Sequence, residues 1–334
     1  MKFSNVKKLL STLVLGTCLV AAAGCGGNDS GDNTSSVDMS KYPDKPINMI
    51  ITHAAGGDTD YNARLLARLM EKELGQPVVP NNVTGANGSI ALDQYKDGDN
   101  DGYTIIATNS AALIGNEATG LSDFSYDAFE PIALYGKQAC ENVVVRADSP
   151  YNNIKELIEA SKANPGAIKY GVSTGGGVYV ASVIMEKSIG AKFNVIDSGD
   201  AANRLTALLG NHVDATSIPY SSAKEYIESG QLKSLGTLLS ERSQMLPNIP
   251  STSETYKNLS VDTLYVVLAP KGTDPAVVKK LNEVITKIVK ENPEYKEEVE
   301  KMNFQSPWVL SVDETLAELK KQRDHYMEFK EFLN

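Results

Sequence analysis

Cysteine is nearly missing from this chain: 334 residues hold three, at positions 18, 25 and 140. Two of them fall in the first 25 residues, which leaves Cys140 alone in the body. One thiol cannot close an internal disulfide, so packing must hold the fold. Histidine is equally scarce. His53, His212 and His325 stand far apart, with no C-x-x-C or H-x-x-x-H spacing. That pattern does not support a transition-metal site. Positive charge is also short: 32 basic residues face 42 acidic ones, for a net charge of −10. Nucleic-acid binding rests on basic patches, and so does lying flat on anionic lipid. The nucleotide fingerprints G-x-G-x-x-G with a following acid and G-x-x-x-x-G-K-[ST] are missing. So is the G-x-S-x-G of serine hydrolases. No repeat of 20–50 residues is visible. No cofactor is therefore expected, and an enzyme is not expected either.

What is present begins at the amino end. Lys2, Lys7 and Lys8 precede a short apolar run, Leu13 to Gly24, that closes on Cys25. A basic end, an apolar stretch and small residues before a cysteine read as a bacterial lipoprotein signal. Residues 1–24 would be removed and Cys25 lipidated, for example with palmitate. Ala22 stands where leucine is commoner, and a secretory signal with a coincidental cysteine is the alternative. The run is short of the ~20 apolar residues a membrane span needs. Residues 26–40 are rich in Gly, Ser, Asp and Asn and read as a flexible tether with a reach of about 20 Å. The chain is thus expected outside the cytoplasm, on the outer face of the bacterial cytoplasmic membrane, held by lipid only.

From Pro46 onward, β-rich runs alternate with amphipathic stretches. Strands are expected near 47–52, 78–79, 103–108, 142–146, 168–173, 193–197, 213–217, 232–239 and 263–269. Helices are expected between them, such as the one carrying Leu65, Leu66, Leu69 and Met70 on one face. Asp58 or Thr59 would cap it, and Gly75 with Pro77 would stop it. Asp274-Pro275 marks a further helix start. Lys287 to Lys301 reads as a solvated helical face. This alternation predicts α/β architecture with helix-covered, parallel-rich sheets. The unit strand, Gly-rich loop, helix occurs at 47–70 and again at 168–189, as two similar lobes facing one cleft would produce.

Three loops follow strands and precede helices: Ala54-Ala55-Gly56-Gly57-Asp58-Thr59, Ser173-Thr174-Gly175-Gly176-Gly177 and Ser198-Gly199-Asp200. In open α/β sheets ligands bind beyond the carboxyl ends of the strands. Helix amino ends there offer unpaired N–H groups to anions. Glycine lets the main chain come close. The expectation is a carboxylate site built without arginine; tight turns are the alternative for each glycine run. His53 follows the first strand and could face the cleft as a ligand contact or a packing residue.

These residues resemble a known family. Tyr42-Pro43-Asp44-Lys45-Pro46-Ile47, followed by Ala54-Ala55-Gly56-Gly57-Asp58-Thr59-Asp60, is similar to the opening of Bug-type solute receptors of tripartite tricarboxylate transporters. Gly85-Ala86-Asn87-Gly88-Ser89, Asp101-Gly102-Tyr103-Thr104, Phe129-Glu130-Pro131-Ile132-Ala133, Leu208-Leu209-Gly210-Asn211-His212-Val213-Asp214 and Leu268-Ala269-Pro270-Lys271-Gly272-Thr273 follow in the family's order. The resemblance implies a two-lobe, periplasmic-binding-protein-like (type II) flytrap, each lobe a mixed, mostly parallel sheet flanked by helices. Lobe 1 would be 41–136 plus 262–334, and lobe 2 would be 137–261. It implies capture of a small carboxylate and delivery to a two-component permease; a monomer is expected. It places ligand contacts at Ala55, Gly56, Gly57, Asp60, Gly85, Asn87, Thr108, Asn109, Ser173, Gly175, Gly176 and Gly177. Departures lie at His53, where an aromatic is usual, and at Asp197-Ser198-Gly199-Asp200, where a lysine is lost and acids are gained. Those acids suggest a ligand with a positive group, amino-acid-like, or one largely uncharged; Asp200 capping the next helix is the alternative. Candidate contacts thus also include His53, Asp58, Thr174, Ser198 and Asp200. A sensing module that presents its ligand to a signalling partner remains the second functional reading.

Overall fold

A computed structural model describes residues 37–138, 141–174, 177–199 and 201–333. The leader, Cys25 and most of the tether lie outside the described residues. No described helix is long and apolar enough to cross a membrane.

Among the described residues, ten strands form two five-stranded sheets. The first contains β1 (Ile47–Ile51), β2 (Val78–Asn82), β3 (Thr104–Asn109), β4 (Phe129–Lys137) and, far along the chain, β10 (Leu264–Pro270). The second contains β5 (Glu141–Arg146), β6 (Lys169–Val172), β7 (Asn194–Asp197), β8 (Ala215–Pro219) and β9 (Leu232–Thr237). Their orders are β2-β1-β3-β10-β4 and β7-β6-β8-β5-β9. In the first sheet β1 runs parallel to β2 and β3, while β10 is antiparallel to β3 and β4. In the second, β6 runs parallel to β7 and β8, while β5 is antiparallel to β8 and β9. Each sheet thus has a single reversed strand, fourth in the order.

Local sequence explains the elements. In the helix Asp58–Leu74 the expected face, Leu65, Leu66, Leu69 and Met70, is buried, and Gly75 ends it in the left-handed region at φ 69°. Its N-cap is Gly57, whereas Asp58 or Thr59 was expected. The Asp58 carboxylate is engaged elsewhere, and the Asp60 carboxylate instead accepts the Gly56 N–H at 2.9 Å. The stretch Lys287 to Lys301 falls on two helices, Pro275–Glu291 and Pro293–Asn303, divided where Asn292 caps the second. Strand β4 carries Pro131, which cannot donate to a ladder. It is tolerated because β4 is an edge strand within its sheet.

The chain crosses between sheets twice, after β4 and before β10. The crossings are bonded to each other, the Gln138 N–H donating to Thr263 O at 2.8 Å, and the second is also bonded to the start of β5, the Leu238 N–H donating to Glu141 O at 2.7 Å. The helix Val312–Met327 follows, and Arg323 on it forms a two-bond pair with Glu117. One apolar cluster runs from Ile50 and Ile106 of the first sheet through Leu113, Val180 and Tyr326 to Val143 of the second. A second cluster fills the other face of the first sheet, where Leu66 meets Ile105, Leu281 and Ile285.

Leu66 is fully buried there. Leu66→Ala is expected to lower the unfolding free energy by about 2–5 kcal/mol, read from urea denaturation followed by circular dichroism.

Candidate functional site

Between the sheets lies a cavity of about 220 Å³. The first sheet and its loops contribute His53, Asp58, Thr59, Asn87, Asn109 and Ala111; the second contributes Glu141, Ser173, Gly177, Ala201, Arg204 and Pro219. The crossings add Gln138, Leu239, Val261 and Thr263.

Helix amino ends dominate this wall. Asp58 and Thr59 open the helix Asp58–Leu74, Gly177 opens Gly177–Lys187, and Ala201 opens Ala201–Leu209. Ala111 opens a π-helical turn, Ala111–Gly115, directly after β3. Amino ends of helices carry partial positive charge and unpaired N–H groups. Their convergence suits an anion.

A hydrogen-bonded relay fixes the first-sheet side. The Ala112 N–H donates to Asn109 Oδ1 at 2.9 Å, which turns the Asn109 amide nitrogen toward His53 Nε2 (3.3 Å) and Thr59 Oγ1 (3.2 Å). His53 Nδ1 meets Thr52 Oγ1 at 2.8 Å, and that hydroxyl donates to Thr108 Oγ1 at 2.7 Å. Nδ1 is therefore the protonated nitrogen and Nε2 the acceptor, so the ring is neutral. Burial holds the imidazole below the usual histidine value, against the opposing influence of Asp58 and Asn87. Gly88, at φ 85°, lets the next loop close on this relay: a Cβ there would stand 3.1 Å from Thr52 Cβ and 3.4 Å from the His53 ring.

The second-sheet side holds a cation. Arg204, 5% exposed, donates Nε to Ser217 O at 2.9 Å and Nη1 to Gly199 O at 2.9 Å. Nη2 meets Glu141 Oε1 at 3.2 Å. Burial pushes the Glu141 carboxyl up to about 7; Arg204 opposes the rise and the charge of Asp58 adds to it. The expectation of a site without arginine is thus corrected: Arg204 is there, paired with a buried carboxyl.

Of the residues singled out in the sequence, His53, Asp58, Asn87, Asn109, Ser173 and Gly177 line the cavity. Others stand behind the wall or beside it. Asp60 is buried and fastens the loop; burial raises its carboxyl, but Asn82, the Gly56 N–H and Arg64 outweigh that and hold it low. Thr108 ends the relay. Ala55, Gly56 and Gly57 are exposed outside the lining set, and Gly85 lies outside it too. Thr174 and Ser198 are not lining residues either. Thr174 Oγ1 donates to Asp197 Oδ2 at 2.8 Å, and the Gly199 N–H to Asp197 Oδ1 at 3.0 Å. Asp197, held below the usual carboxylate range first by Gly199 and then by Thr174, thus ties two loops together. Gly175, Gly176 and Asp200 lie outside the described residues.

Arg204, Glu141 and Gln138 were not anticipated. A signal for Arg204 existed: in Ala201, Arg204, Leu205 and Leu208 it falls on the apolar face at helical spacing, where a charge needs a buried partner. A larger hollow of about 470 Å³ lies between Lys257–Asp262 and the helix Val312–Met327. Its rim of Glu318, Lys321, Asp324 and Glu328 presents solvated charges of both signs and no helix amino end. We place the functional site in the smaller cavity for that reason.

A family profile described as "Tripartite tricarboxylate transporter family receptor" matches residues 62–324. The chain is 30% identical over 283 residues to Protein BugT of Bordetella pertussis, covering 83% of each chain. Among solved structures, it is similar to a TctC solute-binding protein from Polaromonas (TM-score 0.74, 27% identity, 86% of this chain and 98% of that one). It is also similar to the periplasmic binding protein BugD (TM-score 0.72, 29% identity, 87% and 98%).

Glu141 generates a pH prediction. A carboxyl whose folded value is raised from 4.5 to about 7 favours the fold below 4.5, and that contribution is lost as pH rises through 7. His53 acts in the opposite sense, since a histidine with a lowered value weakens the fold as pH falls below 6.5. Comparing Glu141→Gln with the parent cancels the histidine. The parent is expected to lose stability relative to the variant between pH 4.5 and 8, by at most about 3 kcal/mol, measured by urea unfolding across that range.

Proposed function

The chain belongs to the tripartite tricarboxylate transporter receptor family, and on that premise we propose that it captures a small carboxylate-containing metabolite and delivers it to a membrane permease. The observation that carries this reading is the cavity wall. Helix amino ends from both sheets, a neutral imidazole and a buried guanidinium face one small space. A carboxylate is complementary to such a wall, because N–H groups held in place need no reorganisation to receive it. The wall offers binding groups without a nucleophile–base pair: His53 is bonded at both ring nitrogens, to Thr52 and Asn109. This reading is capture without chemistry, and the family's description as a receptor supports it.

Delivery is proposed from the family's description and from the amino-terminal reading. In this proposal residues 1–24 direct export, Cys25 takes the lipid, and the tether keeps a monomeric receptor near its two-component permease. A single acyl chain binds a membrane only reversibly, so the anchor requires more than one.

Two experiments test the proposal. In a thermal-unfolding screen of mono-, di- and tricarboxylates against neutral analogues, at least one carboxylate is expected to stabilise the protein by about 2.7 kcal/mol at 100 times its dissociation constant; a response confined to neutral compounds would overturn the reading. For the anchor, Cys25→Ser expressed in a bacterial host is expected to move from the detergent phase to the aqueous phase on phase separation, and to lose incorporation of labelled palmitate.

A further inference from the structure

Asp58 places an acid on the wall of a cavity read as a carboxylate site. It is the first residue of its helix and lines the cavity. Other acids in this region are committed to partners. Glu141 meets Arg204, Asp60 meets Arg64 and Asn82, and Asp197 ties its two loops. Among the described residues no lysine, arginine or histidine nitrogen lies within 4.0 Å of the Asp58 carboxylate. Its bonds come from neutral donors: Gln138 Nε2 at 2.5 Å and the Tyr265 hydroxyl at 3.5 Å, both to Oδ2.

Above pH 7, where Glu141 is ionised, the charges do not cancel: Glu141 matches Arg204, His53 is neutral, and Asp58 is left over. A second carboxylate on the ligand would face that surplus charge in a confined space, where like charges repel strongly. An ammonium would meet it as a counter-ion. The cavity is small, so one ligand can span from Asp58 to the amino ends at Gly177 and Ala201.

We infer that this cavity selects carboxylates that also carry a protonated amine, and that Asp58 is the residue that selects them. This selection rests on the carboxylate site proposed above. Asp58 receives the ammonium; the helix amino ends of the second sheet, with Arg204, receive the carboxylate.

The test is titration calorimetry at pH 8.5, where Glu141 is ionised, on the full chain in detergent, with compounds matched except for the amine: alanine and propionate, 4-aminobutyrate and butyrate, glutamate and glutarate. At least one amine-bearing member is expected to bind about tenfold or more tightly than its partner. Asp58→Asn is expected to erase that preference while leaving the circular dichroism spectrum unchanged. Asp58→Glu, which keeps the charge, is expected to retain it, and serves alone if the asparagine variant does not fold. Equal or tighter binding of glutarate, butyrate or propionate overturns the selection but leaves the carboxylate site standing. So does a preference that survives Asp58→Asn. If no member of either set binds, the carboxylate reading falls, and this inference with it.

Discussion

Strand direction is the constraint from which the cavity follows. In each sheet, all strands but one run the same way, so their carboxyl ends gather along one edge. β1, β3, β6 and β7 end at Ile51, Asn109, Val172 and Asp197. Helical turns begin shortly afterwards at Asp58, Ala111, Gly177 and Ala201. The amino ends of those turns therefore have nowhere to go but the space between the sheets. The reversed strands complete the wall from the opposite sense. They start where the others stop, so Glu141 opens β5 at the cavity and Thr263 precedes β10 there. The helix amino ends at Asp58, Ala111, Gly177 and Ala201 thus bring main-chain groups to the wall before any side chain is specialised.

Electrostatics refine what topology supplies. A chain of net charge −10 is a poor attractor of anions at long range. Short-range fixed dipoles act within the first turn of a helix and are little affected by distant surface charge. Arg204 adds a full charge, but its field is tempered by Glu141 and by carbonyl groups of Ser217 and Gly199. A buried guanidinium without such partners would carry a large desolvation penalty. The same partners hold it in one orientation, so its position does not depend on a ligand. The raised Glu141 carboxyl means that near neutral pH the pair lies close to the boundary between one charge and none, and the Asp58 charge is one of the forces that puts it there.

Much of this was legible in the sequence. The alternation of elements gave the class, and hydrophobic spacing placed the helix face at Leu65, Leu66, Leu69 and Met70, which is buried. Strand β4 was not read as a strand, because Pro131 interrupts it and its edge position is a property of the sheet. The amino-terminal glycine loop was read as a set of direct contacts. The structure instead exposes Ala55, Gly56 and Gly57 and turns the cavity wall over to Asp58 and Thr59. A local pattern shows that a loop precedes a helix, but which way the first helical turn faces depends on how that helix packs. Gln138 and Glu141 were invisible for a similar reason. They sit where the chain passes between sheets, and only the pairing of Gln138 with Thr263 brings both to the cavity.

Gln138 joins two events that are otherwise separate. Its main chain bonds the two crossings together, and its side chain holds Asp58 on the cavity wall. Any ligand group that takes a share of the Asp58 carboxylate therefore acts on a residue of the connection between the sheets. By reciprocity, an arrangement of the sheets that withdraws Gln138 from Asp58 changes the affinity of that carboxylate for the ligand, by the same factor as the ligand changes the preference for that arrangement. The ligand can shift the balance only as far as its contacts differ between the two arrangements. A single hydrogen bond to a charged group contributes about 1.5–3 kcal/mol, which is enough for a roughly tenfold or larger bias. The coupling needs no chain of intermediates, because cavity and crossing share one side chain.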